Sequence, residues 1–100
     1  MIRHAVATDK AALIGLARNF HAAAFAHMPF SAIAAARTAH AHIGQRGALA
    51  LVLDLGGIKG ALIANTQPLP FSEALVAREM AFWIEPDARG RWAVEMIRRY

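Results

Sequence analysis

One hundred residues are enough for a small domain with a modest core, and we expect residues 1–100 to form a single domain. The chain is 57% hydrophobic and 18% charged, a composition that excludes an intrinsically disordered segment. Its formal net charge of +4 permits an anionic partner. The arginines are not interleaved with aromatic residues, however, which argues against a nucleic-acid platform.

Several absences narrow the class of protein further. The chain has no cysteine, which excludes disulfides and thiolate zinc sites and fits a reducing cytoplasm. The first residues, MIRHAVATDK, lack the apolar stretch of a secretory signal. The longest strongly apolar run, ALALVLDL at 48–55, is far too short to span a bilayer. We therefore expect a cytoplasmic protein that does not bind a membrane.

The chain begins with a predicted strand and a predicted helix. Residues 2–6 alternate apolar and polar side chains, as a short edge strand does. Thr8 or Asp9 can cap a helix over about 9–26. Within that range apolar residues recur at helical spacing, namely Leu13, Leu16, Ala17, Phe20 and Ala24.

A second helix is predicted after a break at Pro29, because proline disfavours helical geometry at the residue before it. Ser31 can cap this helix, which we expect over about 32–43. Gly44 and Gly47 follow at its end, as is typical of a helix terminus.

Three strands are predicted next. Residues 48–65 indicate two strands joined at DLGG, and their apolar residues on both faces are typical of a sheet interior. The two prolines within 66–72 indicate a loop. Residues 75–85 indicate a further strand, in which simple alternation places Glu79, Ala81 and Trp83 on one face.

The turn between this strand and a last predicted helix has the features of an anion site. The apolar positions of the helix are Ala93, Met96, Ile97 and Tyr100. The first amides of a helix lack partners within it and attract phosphate. Gly90 lets the backbone approach a ligand, and Arg89 and Arg91 add charged donors. The alternative is an ordinary turn with solvated arginines.

The segment IEPDARGRWAVEMI, residues 84–97, resembles the cofactor loop of the GNAT (Gcn5-related) N-acetyltransferase superfamily, with Ile84, Pro86 and Arg89 at matching positions. The stretch PFSEALVAREMAFWIEPDARG is similar to small phage and prophage members. The resemblance implies an α/β fold with a mixed central sheet flanked by helices, in the order β-α-α-β-β-β-α. The family continues with a fifth strand, a fourth helix and a final hairpin. We therefore expect a truncated chain, a part of a larger assembly, or a homodimer that covers the open sheet edge.

The resemblance also implies acetyl-CoA as donor, the primary amine of a small molecule or a protein as acceptor, and no metal ion. The pyrophosphate would lie on the backbone amides of Arg89, Gly90, Arg91, Trp92, Ala93 and Val94. The pantetheine arm would lie beside the preceding strand, near Trp83 and Ile84. Members of the family carry small residues where Trp92 and Val94 stand, so the Trp92 indole either blocks this approach or points away.

Transfer to an amine needs a base, because most alkyl amines are protonated near neutral pH. Glu79 is the only acidic residue inside the apolar strand, and family members often use a glutamate there as the catalytic base. The alternative is a structural pairing with Arg78. The family's acceptor wall would place His27 and Phe30 against the substrate, and the alternative is that both are solvated or packed.

Two other functions are compatible with the sequence. The first is a binding or assembly module that retains the GNAT fold without catalysis, which the residues at Trp92 and Val94 favour. The second, weaker in its support, is a basic phage protein associated with nucleic acid.

Overall fold

The computed structural model describes residues 1–99, so the predicted helix position Tyr100 lies outside the described residues. The elements, in chain order, are β1 (Ile2–His4), α1 (Lys10–Ala24), α2 (Ala32–His42), β2 (Ala48–Asp54), β3 (Ile58–Pro68), β4 (Leu75–Ile84) and α3 (Arg91–Arg99). Single turns of 3₁₀ helix precede α1 and α3. No helix within 1–99 has the length and apolarity needed to cross a bilayer.

The four strands form one sheet in the order β1-β2-β3-β4. The predicted α/β fold and its element order are thereby confirmed. Strands β2 and β3 are central, which explains why their apolar residues occupy both faces. All three pairings within residues 1–99 are antiparallel, so the described part of the expected mixed sheet contains no parallel pair.

Helices cover the sheet on both sides. On one side, which we call the α1–α2 face, Val52 and Ile63 pack against Leu13 and Leu16. On the other side, the α3 face, the core cluster includes Leu51, Leu53, Leu62, Ile84 and Met96. Four of the larger core side chains are fully buried, namely Val52, Leu53, Leu62 and Met96. Burial of these few large residues supplies most of the hydrophobic stabilisation, because the many alanines contribute little area each.

The β3–β4 hairpin is longer than the sequence indicated. Residues 66–72 were predicted to be a loop, but β3 continues to Pro68, which lies opposite Leu75 at the end of the ladder. A proline is tolerated there because the last residue of a strand need not donate to the ladder. The loop is therefore shorter than predicted, and the hairpin projects beyond the helices.

A β-bulge in β4 changes which way Glu79 faces. Ile63 lies opposite Ala81, whereas the next residue, Ala64, lies opposite Glu79, so Met80 is an inserted residue. Directly opposite residues share a face. Because Ala64 belongs to the core of the α3 face and Ile63 to that of the α1–α2 face, Glu79 and Ala81 are on opposite sides of the sheet. Simple alternation had placed them on the same side.

Asp9 occupies the N-cap position of α1, one of the two capping residues predicted, but its carboxylate does not bond to the helix. It accepts hydrogen bonds from the Arg3 guanidinium at 2.8 and 3.1 Å and from the Val6 amide at 2.8 Å. The hydrogen bond from Arg3 is the main reason that the pKa of the Asp9 carboxyl lies below its usual range. Arg3 also bonds to Asp54 at the end of β2, so this cluster joins β1, β2 and the start of α1. The predicted Ser31 cap of α2 is confirmed, since its Oγ accepts from the Ala34 amide at 3.1 Å.

We expect Asp9→Asn to lower the free energy of unfolding by about 1–2 kcal/mol at neutral pH, because charge-assisted hydrogen bonds are lost. Because the pKa of Asp9 is lower in the folded state than in the unfolded state, its ionised carboxylate stabilises the fold fully above the unfolded-state pKa of roughly 4. This stabilisation is lost as the pH falls through the folded-state pKa. Urea unfolding should therefore show the gap between variant and wild type closing on acidification. Glu95→Gln is the control, since its pair with Arg98 is exposed and 4.0 Å apart. A gap independent of pH would contradict this account.

Gly60 lies opposite Ile84, at a point where β4 leaves no room for a Cβ atom on β3. A Cβ atom there would lie 2.9 Å from Ile84 Cγ1 and 3.2 Å from the Trp83 carbonyl oxygen. We expect Gly60→Ala to destabilise by about 1–3 kcal/mol through overpacking, measured by urea unfolding. Gly15→Ala on α1 meets no atom within 4 Å and should instead stabilise by roughly 0.5–1 kcal/mol. Equal stabilities for the two variants would show that the close approach is not a constraint.

Candidate functional site

Strand β4 forms one edge of the sheet within residues 1–99, so its outer main-chain groups face no strand there. The Glu85 amide donates to the Lys59 carbonyl at 2.8 Å, so the backbone groups of Glu85 point toward β3. This bond shows which residues of β4 direct their backbone groups to β3 and which direct them away. Because main-chain groups alternate in direction along a strand, those of Trp83 face β3, and those of Phe82 and Ile84 face the open edge. Of the two residues expected beside the pantetheine arm, Ile84 therefore presents its backbone to the edge and Trp83 does not.

Arg89 bends back over the end of β4. Its Nε donates to the Ile84 carbonyl at 2.9 Å, and its guanidinium lies 4.6 Å from the Trp83 ring centroid. The hydrogen bond occupies one outward carbonyl of β4 and leaves the two terminal guanidinium nitrogens with donors to spare. The stacking holds the cation beside the strand end, as a cation–π contact does.

The N-terminal end of α3, which we call its front, lies beside Arg89 and the end of β4. Gly90 has a φ of +105°, a conformation that favours glycine, and α3 begins at the next residue, Arg91. Of the first three amides of α3, that of Ala93 donates to the Gly90 carbonyl at 3.0 Å, which leaves those of Arg91 and Trp92 without helical partners. A cavity of ≈ 180 Å³ is lined by Phe82, Trp83, Ile84, Arg89 and Ala93. The strand end, the arginine and the helix front thus surround one space.

The indole of Trp92 lies on another side of α3. It is half-buried against the core of the α3 face, and the Arg91 guanidinium stacks on it at 4.6 Å. Trp92 lines a separate open depression with Met1 and Ile2, and it does not line the cavity beside β4. Of the two alternatives drawn from the sequence, the structure favours an indole that points away. Val94 is 55% exposed and does not line that cavity either.

Glu79 is exposed on the outer strand, on the α3 face, because of the bulge. Its neighbour Arg78 donates to the Gln67 side chain at 3.2 Å and forms no salt bridge with Glu79 within the described residues. The structure therefore separates Glu79 from the side of the sheet on which Trp83 and the two N-terminal helices lie.

An aromatic cleft lies between α1 and α2. Phe20 packs on Trp83 with ring centroids 6.1 Å apart, and on Phe25 at 6.0 Å. His21 lies 5.5 Å from Phe30, and the two residues line the cleft together. His27 is exposed and is not among the lining residues. Of the two residues predicted to contact an acceptor, Phe30 is thus in the cleft wall and His27 lies outside it.

Two contacts that link α1 to the end of β4 have no signal in the sequence. Phe20 was assigned to the core by its helical spacing, and nothing in the sequence linked it to Trp83. The Asn19 side chain donates to the Glu85 carboxylate at 2.6 Å, a pairing across 66 residues that has no local sequence signal. Within residues 1–99, no group of three or more side chains of the metal-binding types is close enough to hold a metal ion.

Comparison with known proteins is informative about the fold. No protein-family profile matches the chain, and no curated protein does. A solved structure of a possible acetyltransferase from Clostridium difficile 630 has a TM-score of 0.78 at 10% identity, over 100% of this chain and 66% of that one. A ribosomal-protein-alanine N-acetyltransferase from Brucella melitensis biovar Abortus 2308 has a TM-score of 0.73 at 18% identity, over 99% and 66%. An aminoglycoside acetyltransferase from an uncultured soil metagenomic sample, in complex with sisomicin, has a TM-score of 0.63 at 18% identity, over 99% and 67%.

At these identities the likeness is one of fold. The chain spans about two thirds of the length of the structures it matches. The resemblance to phage and prophage members stays a prediction. The described residues have the fold of GNAT-type acetyltransferases over that shared portion.

Proposed function

We propose that the chain binds acetyl-CoA and takes part in the transfer of its acetyl group to a primary amine by direct attack. The observation that carries the proposal is the meeting of three features around one cavity at the end of β4: the open edge at Ile84, the Arg89 guanidinium and the front of α3. A GNAT-type fold surrounds this cavity.

The residues at this place fit the chemistry of a coenzyme A diphosphate. A helix front offers unpaired amides and the positive end of a dipole, both of which favour phosphate oxygens. Arg89 has free terminal nitrogens, and Gly90 presents backbone without a side chain. The predicted amide contacts from Arg89 to Val94 stay a proposal, for which the Arg91 and Trp92 amides at the helix front have no helical partner. The amide groups of a pantetheine arm would find the outward backbone groups of Phe82 and the outward amide of Ile84 as partners, since the Ile84 carbonyl accepts from Arg89.

In the transfer step, the amine nitrogen attacks the thioester carbonyl carbon. The new C–N bond gives a tetrahedral intermediate, and the C–S bond breaks as the carbonyl re-forms, so that the sulfur leaves as a thiolate. The amine proton passes to a base, and a β4 backbone amide stabilises the carbonyl oxygen as it becomes negative. We propose Glu79 for the base, acting directly or through one water on an amine that approaches from the α3 face. Glu85 is the other candidate, because it lies on the side of the α1–α2 cleft and is held there by Asn19.

A non-enzymatic binding module is the competing function. In that case the open β4 edge would pair with a partner strand, for example in a homodimer, which would also protect it from aggregation. A strand on this edge would compete with a pantetheine arm for the same backbone groups.

The cytoplasmic location of the protein also stays a prediction.

Acetyl-CoA should raise the thermal midpoint of the protein. A ligand at one hundred times its Kd stabilises by about 2.7 kcal/mol, which corresponds to roughly 10–20 °C for a domain of this size. We expect Arg89→Ala to weaken binding roughly tenfold, because it removes a cation beside the diphosphate. Arg98→Ala is the matched control, since Arg98 is exposed in the last turn of α3 and should change little.

Acetyl-pantetheine, which lacks the diphosphate, separates the two halves of the proposed site. It should stabilise wild type and Arg89→Ala equally. The absence of any shift with millimolar acetyl-CoA would favour the binding module. An equal loss in Arg89→Ala and Arg98→Ala would show that only overall charge matters.

The base is tested by the pH dependence of kcat/KM in two matched variants. We expect Glu79→Gln to lower the rate roughly 10²–10⁴-fold and to remove the acidic limb of the profile, because general-base catalysis has that magnitude. Glu85→Gln should keep the acidic limb. If only Glu85→Gln removes it, the role belongs to Glu85, and an acidic limb that survives in both variants excludes both carboxylates.

A further inference from the structure

The cleft between α1 and α2 lies beside an apolar cavity. The cleft has a volume of ≈ 300 Å³ and opens on the surface beside Phe25 and Phe30. The cavity, of ≈ 150 Å³, lies beneath it against the sheet and reaches Ala81 and Trp83 of β4. Four residues line both spaces, namely Ala17, Phe20, Ala35 and Thr38. The two spaces are therefore neighbours, and these four residues form their common wall.

The cavity exists because small residues surround it. Five of its lining residues are alanines, namely Ala17, Ala35, Ala39, Ala61 and Ala81. An empty space of this kind forfeits dispersion contacts and costs stability, and larger side chains at these positions would fill it. An apolar cavity of about 150 Å³ can hold a benzene ring. The size and lining thus suit an apolar group of about six carbon atoms.

Charge narrows the class of ligand. None of the described residues that line either space is acidic. Arginines lie at both ends, with the Arg18 guanidinium 4.9 Å from the Phe30 ring and the Arg89 guanidinium 4.6 Å from the Trp83 ring. The Glu85 carboxylate accepts a hydrogen bond from the Asn19 side chain of α1, on the α1–α2 face of the sheet. Glu85 and Asn19 line neither space, so one ammonium group of a bound amine would have to project from the lining to pair with this carboxylate, whereas a polycation would meet the two arginines without enough carboxylates.

We infer that the cleft and cavity bind the apolar, ring-sized tail of a monoamine. That this amine is the acetyl acceptor rests on the proposed function with Glu85 as the base, because Glu79 lies on the other face of the sheet, but its binding does not. A ligand tail would recover the contacts that the alanines leave unmade.

Three amines test the inference on the intact chain: phenethylamine, ethylamine and spermidine. The chain has two tryptophans, so Trp92→Phe leaves Trp83 as the reporter of binding by fluorescence. We expect phenethylamine to bind at least tenfold more tightly than ethylamine, because burying a phenyl group is favourable. Spermidine should bind no more tightly than ethylamine.

Two alanine variants on α2 locate the site. Ala35→Leu fills the wall common to both spaces and should weaken phenethylamine binding at least tenfold while leaving ethylamine unchanged. Ala41→Leu is the control, since Ala41 is exposed on the same helix and lines neither space. The series from ethylamine to butylamine to hexylamine on wild type needs no variant and should show affinity rising with tail length.

The results separate this inference from the proposed function. Tighter binding of spermidine, or a flat tail series, would overturn the inference even if acetyl-CoA binds. Tail-dependent binding without an acetyl-CoA shift would support the pocket and count against acetyl transfer. Equal effects of Ala35→Leu and Ala41→Leu on phenethylamine would place the binding elsewhere and overturn the inference.

Discussion

The register between β3 and β4 is the constraint on which the candidate site depends. Gly60 lets the two strands approach at Ile84 and Trp83, and the Glu85 amide continues the ladder beyond the end of β4. This phase sends the Ile84 backbone to the open edge and the Trp83 indole to the α1–α2 face. A slip by one residue would exchange the two sides, because side chains alternate with a period of two.

The bulge at Met80 divides β4 into two parts with different surroundings. Between the bulge and Ile84, the strand packs between helices and contributes to both core clusters. Before the bulge, residues 75–80 are all exposed, and Met80 itself is 50% exposed. The part next to α3 therefore lies on a well-packed core, which is the kind of support that a binding site needs. The part that carries Glu79 has no covering element within residues 1–99.

Positive charge is concentrated near α3 but is held in different ways. Both Arg89 and Arg98 are exposed, but the Arg89 guanidinium is held by a backbone carbonyl and an aromatic ring, whereas Arg98 has a 4.0 Å pair with the exposed Glu95. A fixed cation loses less freedom when an anion binds than a mobile surface arginine does. This difference is the physical basis for assigning the two arginines unequal roles, although both lie close to the same helix.

Local sequence patterns determined most of the elements. Helical spacing, the Ser31 cap and the DLGG turn depend on contacts only a few residues apart, and the structure agrees with them. The apolar runs of β2 and β3 likewise required central strands. The cofactor-loop motif also indicated the strand–turn–helix arrangement around Gly90, because such a motif is a local arrangement of backbone and charge.

Tertiary structure decided the rest, because each remaining feature depends on residues far apart in the chain. The bulge that turns Glu79 to the α3 face arises from pairing with Ala64, and alternation within β4 gave no sign of it. The direction of the Trp92 indole follows from the core it packs against. The cleft requires Phe20 to meet Trp83, 63 positions later, and the cavity beneath it requires alanines from two helices and two strands. Sequence fixes which side chains are available, and packing alone decides which of them share a space.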